Sequence, residues 1–195
     1  MSVKVRITGI THMHNDRICM SGYDISEKRY IRPVVYGQHG HEHIFLNQDG
    51  GNISLFSLVT FEKDSRGFKS SPPHIEDFMV TGNILDIDNA TIDMQRFLRN
   101  ISDSSIEDVF GNFIEVVDDK PVVLIGGGKR SLGTIVARNC TVFRDQNNDK
   151  KVTGITYDSH DALVIKSFEE IYKEAETKFK FNNIAVFIEH MKGYV

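Results

Sequence analysis

The chain opens with its clearest pattern, a strict alternation of apolar and polar positions. Val3, Val5 and Ile7 alternate with Lys4, Arg6 and Thr8. Successive side chains of an extended backbone point to opposite faces, so this period of two predicts a half-buried strand. Thr11 to Asp16 is polar and turn-like. Arg17 to Tyr23 predicts a second strand, with Ile18 and Met20 on one face and Cys19 and Ser21 on the other. Asp24 to Lys28 supplies a turn, and Arg29 to Val34 predicts a third strand containing Pro33. The three together make a meander with short connections.

Further along, Gly37 to Asn52 is a loop rich in Gly, His and Asn, and Ile53 to Glu62 reads as one β-branched and aromatic strand. Ser70-Ser71-Pro72-Pro73 breaks the pattern, and His74 to Val80 is extended again. Ile92, Met94, Phe97, Leu98 and Ile101 stand at helical spacing, which predicts a helix over Ile92–Ile101 with Thr91 as its N-cap. Ser104 or Ser105 opens a short helical turn that runs to Val109-Phe110-Gly111. The second half starts at Phe113. Val122 to Ile125, Leu132 to Ala137, Thr141 to Arg144 and Val152 to Tyr157 read as strands, with Asp145 to Asp149 as a hairpin turn. Ser167 to Lys180 predicts a helix with Phe168, Ile171, Tyr172 and Ala175 on one face, and Ile184 to Ile188 a closing strand.

The predicted fold is therefore mostly β, with two helices. The order strands, helix, strands, helix, strand fits two OB-like five-strand barrels packed as one unit. The first would span 1–111 with an inserted helix, and the second 112–195 with a C-terminal helix.

Composition narrows the class. Hydrophobic residues make up 40 % and charged residues 26 %, ordinary for a globular chain and unlike extended disorder. No apolar run reaches the roughly 18 residues of a membrane-spanning helix. MSVKVRITGI lacks the apolar core and cleavage site of a secretion signal. Cys19 and Cys140 are too few for a disulfide framework and read as buried thiols of a reducing cytoplasm. The predicted location is cytoplasmic, with no membrane contact.

Charge is uneven along the chain. Residues 1–35 hold six Lys/Arg against three Asp/Glu and residues 120–151 seven against two, whereas residues 74–119 hold two against eleven. Two basic blocks split by an acidic one keep an anion-facing surface in play; solvated faces are the equally weighted alternative.

Arg17-Ile18-Cys19, Gly22-Tyr23-Asp24 and Arg29-Tyr30-Ile31-Arg32-Pro33-Val34 resemble the opening of bacterial and phage dual OB-containing domain proteins. Pro72-Pro73-His74-Ile75-Glu76-Asp77-Phe78 resembles that family's middle motif. Phe110-Gly111, Ser131-Leu132-Gly133 and the hairpin from Phe143-Arg144-Asp145 to Tyr157-Asp158 resemble its second half. Ala185 to Val195 departs from the pattern. The resemblance implies two barrels and a non-enzymatic module of a bacterial or phage conflict system that binds nucleic acid or a nucleotide. The alternatives are a protein-binding inhibitor or adaptor that uses the acidic segment 74–119, and an enzyme acting on a nucleotide.

Single-strand binding on such a barrel stacks bases on strand aromatics while cations follow the phosphates. The candidate contacts are Arg6, Arg17, Tyr23, Tyr30 and Arg32 in the first meander and Lys129, Arg130, Arg138 and Arg144 in the second. Tyr30 and Arg32 share one face of their strand and Arg29 lies on the other. An inward Tyr30 with Arg32 paired to an acid such as Asp77 carries slightly more weight than a binding role.

Three other constellations have plainer readings. Gly126-Gly127-Gly128-Lys129-Arg130-Ser131 lacks P-loop spacing and reads first as an inter-strand turn. His39, His41 and His43, like His12 and His14, alternate as metal ligands can, but the setting is that of an exposed polar loop. His74, Glu76 and Asp77 invite acid–base chemistry with no nucleophile motif beside them, so a structural role is favoured. No catalytic residue, metal or cofactor is assigned. The expected partner is single-stranded nucleic acid or a nucleotide, with a protein partner as the second possibility.

Overall fold

A computed structural model describes residues 1–13, 17–36, 41–42, 45–46, 49–68, 75–111, 114–117, 120–123, 128–137, 140–144, 153–157, 160–164, 179–181 and 184–189. The chain divides into two compact units, Met1–Ile92 and Asp93–Val195. The division falls at 92/93, in place of the expected 111/112.

The first unit is built from strands β1 (Ser2–His12), β2 (Arg17–Asp24), β3 (Arg29–Val35), β4 (His41–Glu42), β5 (Leu58–Phe68) and β6 (Asp77–Asp88). Neighbours in the sheet run β1-β5-β6-β3-β2-β4, and β1 also pairs with β2. That extra pairing closes five strands into a barrel, with two-residue β4 added on β2. All ladders of the barrel are antiparallel except β3–β6, which is parallel with Arg32 opposite Asp77 and Val35 opposite Val80. Closure removes free sheet edges around the barrel.

The alternation in β1 does what its pattern predicts. Val3, Val5 and Ile7 are buried in a core with Ile18, Met20, Ile31, Val59, Phe61, Phe78 and Val80. Asp24 shapes the β2–β3 turn, because its Oδ1 accepts from the backbone N–H groups of Ser26 (2.9 Å) and Glu27 (3.2 Å). Gly22 sits opposite Ile7, where a Cβ would lie 2.2 Å from the carbonyl oxygen of Arg6. Only glycine lets the two strands approach so closely at this point.

Two predicted elements of this unit shift. The strand expected at Ile53 begins at Leu58. Ile53 instead bridges to Leu46, and Phe56 takes φ 67°, a left-handed conformation that interrupts an extended run. The helix expected inside the first barrel belongs to the second unit: α1 spans Met94–Asn100. Its N-cap is Asp93, not Thr91, with the carboxylate accepting from the backbone N–H of Arg96 at 2.9 Å.

The second unit continues with α2 (Ile106–Phe110), capped by Ser105, one of the two serines expected to open it. Its strands are β7 (Ile114–Val117), β8 (Lys120–Val123), β9 (Leu132–Ala137), β10 (Cys140–Arg144), β11 (Thr153–Tyr157), β12 (His160–Val164), β13 (Phe179–Phe181) and β14 (Ile184–Glu189). Among the described residues they form sheets β12-β11-β10-β13, β14-β9 and β7-β8. Among the described residues the fold is thus mostly β, with one closed five-strand barrel and two helices, and they do not establish a second barrel. The predicted hairpin is present as the β10–β11 ladder, Arg144 opposite Thr153, although its turn lies outside the described residues. Most of the predicted helix Ser167–Lys180 also lies outside them, and its last residues, Phe179 and Lys180, are in β13. The strand expected at Val122–Ile125 starts earlier, at Lys120.

Candidate functional site

Of the residues singled out in the first meander, Tyr23 and Tyr30 meet each other, while Arg6, Arg17 and Arg32 engage Phe56, Glu42 and Asp77. Tyr23 and Tyr30 face each other across the β2–β3 ladder, ring centroids 5.3 Å apart and edge to face. Tyr30 is buried at 5 % exposure, so its ring offers no stacking platform. Arg32 is buried too, and its Nη1 donates to Asp77 Oδ1 at 3.0 Å. Its backbone N–H donates to the carbonyl of buried Glu76. The inward alternative weighed for this pair is thus the one the geometry gives, and Glu76 and Asp77 tie β6 to β3.

Arg6 and Arg17 sit at the barrel wall. Arg6 Nη1 donates to the carbonyl of Phe56 at 2.8 Å, which ties β1 to the strained turn before β5. Burial lowers the Arg6 pKa and Asp88 raises it, and the guanidinium stays charged. Arg17 Nη1 lies 4.0 Å from Glu42 Oε1.

His41 is the histidine of the polar loop that the structure describes; His39 and His43 lie outside the described residues, as do His14 and His74. His41 is not exposed. At 2 % exposure its ring packs 5.4 Å from the Phe61 ring, and Nε2 lies 3.0 Å from the carbonyl oxygen of Pro33. Desolvation pushes the imidazole below its ordinary range, the Pro33 carbonyl pulls it back up, and Arg17 lowers it further. Among the described residues no group of three or more His, Cys, Asp or Glu could hold a metal ion. No described helix is long and apolar enough to cross a membrane.

The glycine-rich turn of the second unit is described from Gly128, at φ 81°. Lys129 is exposed, and its backbone N–H donates to the carbonyl of Phe110 at 3.0 Å. Arg130 forms an ion pair with Asp103, whose backbone N–H in turn donates to the carbonyl of Thr134 at 2.7 Å. The cation next to the glycines thus serves to fasten the α1–α2 connection to β9. Arg144 lies in β10, and Arg138 lies outside the described residues.

Sequence reading missed the cations that do meet aromatic rings. The Arg29 guanidinium lies 3.7 Å from the Phe68 centroid, Arg66 3.5 Å from Tyr36, and Lys63 Nζ 5.5 Å from Phe78. Two arginines stacked this closely on rings are cation–π pairs. Each pair joins residues from different parts of the chain, with Phe68 in β5, Phe78 in β6 and Tyr36 just after β3, so no local signal marked them.

A family model described as MoaE protein matches residues 120–195, less than half of the chain. The match begins on the first residue of β8 and lies wholly within the second unit. No curated protein and no solved structure matches. The match overturns the resemblance to dual OB-containing domains, and with it the nucleic-acid or nucleotide-binding role in a bacterial or phage conflict system. Ser131-Leu132-Gly133 and the Phe143 to Asp158 hairpin, which carried that resemblance in the second half, fall inside the MoaE match. Short islands of this kind mark strands and turns, which many β proteins share.

Proposed function

We propose that the second unit serves molybdopterin biosynthesis as a module of the MoaE type, the catalytic subunit of molybdopterin synthase. The family match over residues 120–195 is the observation that carries this reading. It is supported by the match covering β8 through β14 without crossing into the first unit. MoaE works with the partner protein MoaD, so the partner proposed here is a protein of that kind. The first unit is proposed as a single OB-type barrel, supported by its five closed strands and the one parallel pair β3–β6.

The test is complementation in cells that lack the molybdopterin synthase catalytic subunit, read as recovered molybdoenzyme activity, together with calorimetric titration of the full chain against MoaD. Recovery and a saturable complex are the expected results. A folded full chain that gives neither would overturn the reading.

A further inference from the structure

The two ring nitrogens of His41 are in opposite situations. Nε2 lies 3.0 Å from the Pro33 carbonyl oxygen, and a carbonyl can only accept, so Nε2 carries the proton. Nδ1 is buried and meets no hydrogen-bond partner among the described residues. The neutral ring fits this place as a bare acceptor against apolar surroundings. An imidazolium would not, because its second N–H would need an acceptor that the described residues do not supply.

The groups around the ring add to that asymmetry. From β2, Arg17 presents a like charge; on β4 itself, Glu42 lies beside Arg17 at 4.0 Å. β3 supplies the Pro33 carbonyl, and its neighbouring Arg32 is already engaged with Asp77 of β6. β5 supplies the apolar ring of Phe61. Meanwhile β4 is held by only two register positions, Arg17 opposite Glu42 and Ile18 opposite His41.

We propose that β4 is an acid-released latch: neutral His41 pins it to β2 and β3, and protonation at Nδ1 expels the ring and frees the strand from the barrel wall. The step is the addition of a solvent proton to the Nδ1 lone pair, with the Nε2–H retained and no other covalent change. Burial lowers the folded pKa of His41, so the released form binds more protons than the latched one. The latch is therefore at full strength above the ordinary imidazole pKa of about 6.5, and weakens as pH falls below it.

Native-state hydrogen exchange by NMR on the full chain, at about pH 7 and about pH 5, tests this across the imidazole range. Protection factors of the Ile18 and His41 amides fall at least about tenfold on acidification, while those of Val5 and Val59 in the barrel core hold. In His41→Gln, whose amide still donates to a carbonyl but does not titrate, the protection no longer depends on pH. His41→Phe, which keeps ring volume beside Phe61, gives a second non-titrating control should the glutamine variant fail to fold. Equal protection of the wild type at both pH values, or the same loss in either variant, would overturn the latch.

Discussion

Arg32 and Asp77 stand 45 residues apart in sequence and meet at 3.0 Å, with side chains only 9 % and 14 % exposed. They are also opposite one another in the parallel β3–β6 ladder, so side-chain pairing and backbone register enforce the same alignment. A charge withdrawn from water this far is tolerated because its partner is in place, and removing one withdraws that compensation from the other.

Arg32→Met or Asp77→Leu alone should therefore destabilise the first unit by about 3–5 kcal/mol. The double variant should recover most of that loss, since neither charge of the pair remains. Urea denaturation of the two singles and the double measures the coupling; additive losses would show that the pair acts independently.

Asp64 gives a pH prediction. Its carboxylate accepts from the Arg66 backbone N–H (2.9 Å), from Nε (2.7 Å) and from Nη2 (2.7 Å), and these bonds hold its pKa down to about 2. A carboxyl whose folded pKa is depressed contributes stability above its unfolded value, and loses it as pH falls toward the folded value. The loss should come between about pH 4 and about pH 2. Carboxyl-carbon NMR should find the Asp64 midpoint near 2, and Arg66→Ala should return it toward the ordinary range.

Gly22→Ala tests the close approach of β1 and β2. The new methyl group would meet the backbone carbonyl of Arg6, which has no rotamer through which to yield. A loss of about 1–3 kcal/mol is expected from the forced strand displacement. Thermal unfolding followed by circular dichroism reads it, and a variant as stable as the parent would rule out the clash.

Asp93→Ala tests the cap of α1, a helix of only seven residues. Losing the carboxylate that accepts from the Arg96 amide should cost about 0.5–2 kcal/mol, with faster amide exchange in the first turn. Thr91→Ala, two residues earlier, should leave that exchange unchanged.

The sequence made local elements legible and left their partners hidden. Val3, Val5 and Ile7 announce β1, and Asp24 announces the turn after β2, because each signal is written within a few residues. For Tyr30 and Arg32, alternation fixes that they share a face and is silent on what covers that face. Tyr30, Ile31 and Arg32 are in fact all buried, since β3 is covered on both sides. The inward alternative for the pair was readable as chemistry, with Asp77 as acceptor, although the register that delivers it is set by β6. The apolar run from Ile53 misled because it contains a reversal at Phe56, a residue with no intrinsic turn signal. His41 misled for the converse reason: its neighbours are those of an open loop, while the ring itself is carried under the barrel wall by two residues of strand. The family resemblance failed where it rested on fragments too short to separate one β family from another.

The parallel β3–β6 ladder also bears on how the chain is made. During translation, the meander β1–β3 leaves the ribosome with the β3 edge that awaits β6 still open, and some 45 residues must follow before Asp77 reaches Arg32. Barrel closure is a long-range event of high contact order, slower than hairpin formation. Until β6 arrives, the nascent first unit presents an unpaired strand edge beside apolar residues, which makes this interval the point in its life when it most needs protection from self-association.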